Sequence, residues 1–170
     1  TMKLHEIYLA PIVDSSDAEV SLNAFRSSPL VYNRIGADFN VLLTRSPALC
    51  GLATTRDCRV PSCRYVVVAG SCATGYLSFG HEIGHLQGAS HDKGASNTVA
   101  RFPYGSGYLF GGAYRTVMAY ATPINERRVN YWSNPFVSYL VTSTGARLAT
   151  GTADADNARV LLTTRYEHQA

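Results

Sequence analysis

The chain has 170 residues, 46% hydrophobic and 16% charged, enough apolar content for one domain with a real core. Its formal net charge of +3 comes without a dense Lys/Arg block, so nothing marks it as a nucleic-acid or membrane-surface binder. No apolar run reaches the ~18 residues of a spanning helix, and Lys3 to Val13 is too broken by His5, Glu6 and Pro11 for a signal-peptide core.

Four strands are predicted, at about Leu4–Ile12, Phe39–Thr44, Leu52–Thr55 and Arg64–Ala69, with a helix at about Ala18–Phe25 before the second. Tyr65-Val66-Val67-Val68 is continuously apolar, as in a strand buried on both faces. Cys50, Cys58, Cys63 and Cys72 fall close together without a CxxC pair, which favours disulfides over a second metal site. Three pairings are possible. Cys50–Cys72 with Cys58–Cys63 nested inside would staple the Arg56–Arg64 loop and tie the edge strand to the next helix. Disulfides belong to an oxidising compartment, so a secreted or periplasmic location is expected.

A helix is predicted from about Leu77 to Gln87, with Tyr76, Phe79, Ile83 and Leu86 on an apolar face. Ser78, His81, Glu82 and His85 fall on the other side, toward a cleft. Lys93 to Ala113 is rich in Gly, Ser and aromatics and reads as a long irregular segment wrapping a site. A last helix at about Ala153–Tyr166 carries acids in its first turn and Arg165 near its end, matching the helix dipole. The second half is thus expected to be mostly loop plus one helix.

His81-Glu82-Ile83-Gly84-His85-Leu86-Gln87-Gly88-Ala89-Ser90-His91-Asp92 carries the chemistry. Residues i and i+4 share a helix face, so His81 and His85 can grip one ion. Gly88 can stop the helix in a positive-φ conformation and let the chain return His91 as a third nitrogen. Three protein ligands leave a fourth tetrahedral position open, the pattern of a catalytic zinc. Glu82 is then placed to act as general base.

These residues resemble the metzincin clan of zinc endopeptidases, and HExGHxxGxxHD its reprolysin-like (adamalysin-type) branch. Thr116-Val117-Met118-Ala119-Tyr120 is similar to the clan's Met-turn. Gly36-Ala37-Asp38-Phe39-Asn40, Cys50-Gly51-Leu52-Ala53, Cys72-Ala73-Thr74-Gly75-Tyr76 and Tyr131-Trp132-Ser133-Asn134-Pro135 are most similar to the bacterial peptidyl-Asp metallopeptidase group. The resemblance implies an α/β fold with a twisted mixed sheet and active-site helix in an upper subdomain (about 1–88). A mostly irregular lower subdomain (about 89–170) would carry the Met-turn and C-terminal helix.

It further implies one catalytic Zn²⁺ on His81, His85 and His91, with Tyr120 a candidate oxyanion or metal neighbour and Asp92 bonding beneath the site. Substrate would lie extended along the edge strand at Leu52, Ala53 and Thr54, with Ser133, Asn134 and Pro135 walling the pocket after the cleaved bond. The group's preference for acidic residues needs a cation there, and Arg115, Arg127 and Arg128 are the nearest in sequence. Leu4–Ile12 matches the family's second strand, so the resemblance implies an opening strand and helix that this chain lacks. Either a second polypeptide supplies them, the favoured expectation, with its strand between Leu4–Ile12 and Phe39–Thr44, or Leu4–Ile12 shifts inward and the sheet closes with four strands. The alternative function is a catalytically silent binding module (a toxin component or decoy). The intact Glu82 and three histidines speak against it.

Overall fold

The computed structural model describes residues 3–12, 14–32, 37–45, 48–54, 63–95 and 100–167. The first half builds a three-stranded mixed sheet from β1 (Asn40–Thr44), β2 (Gly51–Ala53) and β3 (Tyr65–Ala69), in the order β1-β3-β2. β1 runs parallel to β3, with Leu42 opposite Val67, and β2 antiparallel, with Leu52 opposite Val67 from the other side. Every residue of β3 is buried. Its side chains alternate between two clusters because successive strand residues point to opposite faces. Tyr65 and Val67 pack with Leu22, Phe25 and Val31, while Val66 and Val68 pack with Leu86.

Leu22 and Phe25 come from α1 (Ala18–Ser27), which Asp17 caps by accepting from the amides of Glu19 and Val20. A one-turn α2 (Pro29–Tyr32) follows and contributes Val31. On the other face lies α4 (Ser78–Leu86), reached through β3 and the short α3 (Gly70–Ala73). A disulfide joins Cys50, next to β2, to Cys72 on α3, with Cα atoms 5.3 Å apart. Cys63 is also disulfide-bonded, while Cys58 lies outside the described residues.

Three expectations are corrected. Leu4–Ile12 is not a strand. Tyr8 and Ile12 rest against the α1 cluster, but Leu4, Ile7 and Leu9 are 76%, 80% and 98% exposed, and Pro11 has no amide to give a ladder. An opening strand between that segment and Phe39–Thr44 therefore has no paired neighbour on the Leu4–Ile12 side. Second, the apolar face of α4 is shorter than its periodicity suggests. Ile83 and Leu86 are buried, but Tyr76 and Phe79 are 58% and 40% exposed.

Third, the second half is mostly irregular with one helix, as expected, but it also holds short strands. β4 (Leu109–Phe110), β5 (Tyr114–Arg115) and β6 (Arg127–Arg128) form a small sheet, and β7 (Ser138–Val141) and β8 (Ala146–Ala149) form a hairpin. The hairpin closes through Thr142–Gly145, where Gly145 takes φ +72°. α5 (Asn157–Thr164) is shorter than expected, since Asp156 caps it by accepting from the Arg159 amide. It anchors by Val160, which is fully buried.

Candidate metal centre and cleft

α4 starts at Leu77, held in the left-handed region at φ +57°, and ends before Gly88 at φ +90°. The amide of Ala89 bonds back to the Gly84 carbonyl, a turn a side chain at Gly88 would strain. The chain then passes Ser90, which bridges to Ser106, and delivers His91 beside His81 and His85. All three histidines are buried, and their ligand nitrogens lie within 4.8 Å of one another.

His81 donates its Nδ1–H to the Val117 carbonyl at 2.8 Å, and His85 its Nδ1–H to the Ala89 carbonyl at 3.1 Å. Those bonds fix the tautomer, so both Nε2 atoms carry lone pairs. They face His91 Nε2 at 3.2 and 2.9 Å. The three nitrogens converge on one point, where a cation could take a lone pair from each. Zinc–nitrogen bonds of about 2.0–2.1 Å at tetrahedral angles set ligand nitrogens about 3.3 Å apart. The donor set therefore fits one zinc ion.

Met118 is fully buried beneath this cluster, against Ala89 and Trp132. Gly84 leaves room for it: a Cβ there would come 2.9 Å from both the Met118 sulfur and the Trp132 ring. Asp92 accepts from the Tyr120 amide at 2.8 Å, which ties the third histidine's loop to the turn. The Tyr120 ring lies over His91, with centroids 3.9 Å apart, and is half exposed to the cleft.

The cleft above the histidines has a volume of about 270 Å³. Glu82, Ser78, Tyr120, Leu52 and Ala53 line it, joined by Arg128, one of the three candidate arginines, and by Gly51, which sequence reasoning did not single out as a lining residue. Gly51 lies so close to the Glu82 carboxylate that a Cβ would meet it at 2.6 Å. The edge strand thus backs the acid, a contact that no spacing in the sequence displays.

Four other residues sit elsewhere. Thr54 does not line the cleft; its hydroxyl donates to the Cys63 and Tyr65 carbonyls. Ser133 is fully buried and structural, donating to the Ser106 carbonyl at 2.6 Å and accepting from the Asn157 amide at 2.9 Å. Asn134 accepts from the Phe136 amide at 2.9 Å, and neither it nor Pro135 reaches the cleft lining. Of the three arginines, Arg127 is exposed and Arg115 is buried and committed to the Glu126 and Ala119 carbonyls. Arg128 alone faces the cleft.

A family profile described as metallo-peptidase family M12, of reprolysin type, matches residues 13–133. The chain belongs to metallo-peptidase family M12. A peptidyl-Asp metalloendopeptidase of Xanthomonas campestris pv. campestris is 42% identical over 133 residues, covering 78% of this chain and 30% of that protein. One from Stenotrophomonas maltophilia (strain R551-3) is 36% identical over 177 residues, covering 97% of this chain and 41% of its own length. One from Pseudomonas fragi is 41% identical over 104 residues, covering 60% of this chain and 63% of the relative. The chain thus spans less than half the length of the Xanthomonas and Stenotrophomonas relatives. Among solved structures, a chain from a structure of a chaperone-substrate complex superposes over 91% of this M12 chain with a TM-score of 0.65 at 20% identity. This chain covers 24% of that one, and the likeness shows the fold alone.

Proposed function

We propose that this chain is the catalytic part of a zinc endopeptidase that cuts extended protein substrates. The observation that carries this reading is the convergence of three buried imidazoles, two of them tautomer-fixed, on one point, with Glu82 beside them in an open cleft. His81, His85 and His91 would hold the ion. Bound zinc supplies Lewis acidity toward a carbonyl and lowers the pKa of a coordinated water to about 7. Glu82, buried to 6% exposure against Gly51, accepts the proton of the attacking water and passes it to the departing amine nitrogen. Tyr120, on the rim over His91, would donate its hydroxyl to the oxygen that gains charge, a role that its ring stacked near the histidines supports. The outer edge of β2 can pair with an extended substrate backbone through Leu52 and Ala53.

The relatives' name supports cleavage next to Asp, and the disulfides support a secreted or periplasmic location. The cleft takes lining residues from before and after Gly88, which supports an upper and a lower subdomain divided near that residue. A second polypeptide pairing with the outer edge of β1 draws support only from β1 being an edge strand among the described residues and from the exposed Leu4, Ile7 and Leu9. Intact mass and solution size of the active sample test it.

Zinc content and cleavage of a denatured protein, with and without a chelator, test the main reading. One bound zinc and chelator-sensitive cleavage are expected. Glu82→Ala should keep zinc and fold while turnover falls about 10²–10⁴-fold. Retention of more than a tenth of the rate would remove Glu82 as the base. A zinc-loaded chain that cleaves nothing would favour the silent binding module.

A further inference from the structure

Arg128 is the only lysine or arginine among the described residues lining the cleft. Its Nη1 donates to the Tyr76 carbonyl at 2.7 Å and its Nη2 to the Ala119 carbonyl at 3.2 Å. Both acceptors are neutral. Its Nε is buried with no hydrogen-bond partner, and no carboxylate of the described residues forms an ion pair with it. Buried donors normally find acceptors, and leaving one unmet is costly. Burial first, and the neighbouring Arg115 charge second, push its pKa down to about 10, so it remains cationic at neutral pH. Tyr120 and Glu82 offset the Arg128 charge in part, as Glu126 and Asp92 do that of Arg115, but neither forms a salt bridge with Arg128.

The surroundings add to the same sign. α4 opens beside Arg128 at Ser78 with no side-chain cap on its first amides, and Ser78 lines the same cleft. A helix N-terminus carries partial positive charge. A desolvated guanidinium with spare N–H groups, two neutral anchors and a cleft in front of it is complementary to a carboxylate. Leu49, Leu52 and Ala53 on the facing wall offer no such charge.

We propose that Arg128 is the specificity-determining residue of this cleft, receiving the carboxylate of an acidic substrate side chain beside the cleaved bond. This rests on the endopeptidase reading above and assigns to one residue a selectivity that the relatives' name only describes. Tyr76 and Ala119 hold the guanidinium in place, so Arg128 acts as a fixed receptor rather than a mobile surface charge.

The test is kcat/KM of the zinc-loaded enzyme on matched peptides with Asp, Asn or Leu directly after the cleaved bond. Asp should exceed its isostere Asn by about 10–100-fold, the range of a charge-assisted hydrogen bond. Arg128→Gln should erase most of that factor while the Asn and Leu peptides change by less than about threefold, with Arg128→Lys in between. Equal cleavage of Asp and Asn peptides by the unsubstituted enzyme would overturn the proposal. So would an equal loss on all three peptides in Arg128→Gln at unchanged zinc content, which would make Arg128 a structural strut. Should Arg128→Gln not fold, calorimetry of short product peptides beginning with Asp or Asn, on the unsubstituted enzyme and Arg128→Lys, decides. Tighter Asp binding that weakens in Arg128→Lys supports the proposal, and no difference sinks it. Product binding is also readable if no peptide is cleaved, so failure of the endopeptidase reading stays distinct.

Discussion

At the scale of single residues, glycines on one helix separate two opposite effects. Replacing a helical glycine by alanine favours the helix by about 1 kcal/mol. At Gly80 a Cβ meets nothing within 4 Å, so Gly80→Ala should stabilise by about 0.5–1 kcal/mol. At Gly84 the same methyl would press on Met118 and Trp132 at 2.9 Å, and overpacking costs about 1–3 kcal/mol. Gly84→Ala should therefore be destabilising, and denaturant midpoints of the two variants should move in opposite directions. A shift of the same sign in both would show that the packing beneath the histidines yields. The ligand residues were legible in the sequence because their chemistry and spacing are local, and the positive φ of Gly88 follows from the same spacing. Gly51 was not legible as a cleft residue, and Arg128 was legible only as one of three candidate arginines. They enter from strands 31 and 46 residues away from Glu82, and only the packed structure brings them to it.

At the scale of elements, long apolar patterns were readable and short ones were not. β1, β3, α1 and α4 each carry enough periodic residues to show their type, whereas β4, β5 and β6 have two residues apiece and no period at all. The β7–β8 hairpin did leave a signal, the Thr142-Ser143-Thr144-Gly145 turn between two apolar stretches. Leu4–Ile12 shows the reverse error, an apolar stretch with no partner in the sheet. The connection from the Met-turn to β6 holds its shape through Glu126, which accepts from the Thr122 hydroxyl at 2.6 Å and the Thr122 amide at 2.8 Å. The hydroxyl bond, then the amide bond, hold the Glu126 carboxyl below its ordinary 4.5. A carboxyl lowered on folding adds stability above its unfolded value and loses it as pH falls through the folded one. Thr122→Val should be less stable than the parent at pH 7, and the gap should close at pH values below the ordinary carboxylate range. A gap that persists there would assign the effect to packing rather than to the carboxylate.

At the scale of the whole molecule, the fold class was visible in advance because one buried strand and one amphipathic helix dominate its core. What the sequence could not show is how the two ends of the cleft are tied together. Among the ties are the Cys50–Cys72 disulfide on one rim, the bond from the Tyr120 amide to Asp92 on the other, the bond from Arg128 to the Tyr76 carbonyl, and the bond from His81 to the Val117 carbonyl between them. That last bond has a thermodynamic consequence. The imidazole that would ligate the ion also holds the Met-turn, so an occupied site and a closed lower half favour each other by mass action. An ion that binds only the folded chain adds about 2.7 kcal/mol at a hundredfold excess over its Kd, and more as its free concentration rises. The melting temperature should therefore climb with the logarithm of buffered free zinc, and His81→Ala should flatten that slope. A melting temperature indifferent to zinc would mean the two halves close without it. If the slope is found, the concentration of a metal in the surroundings sets the lifetime of the protein as well as its activity.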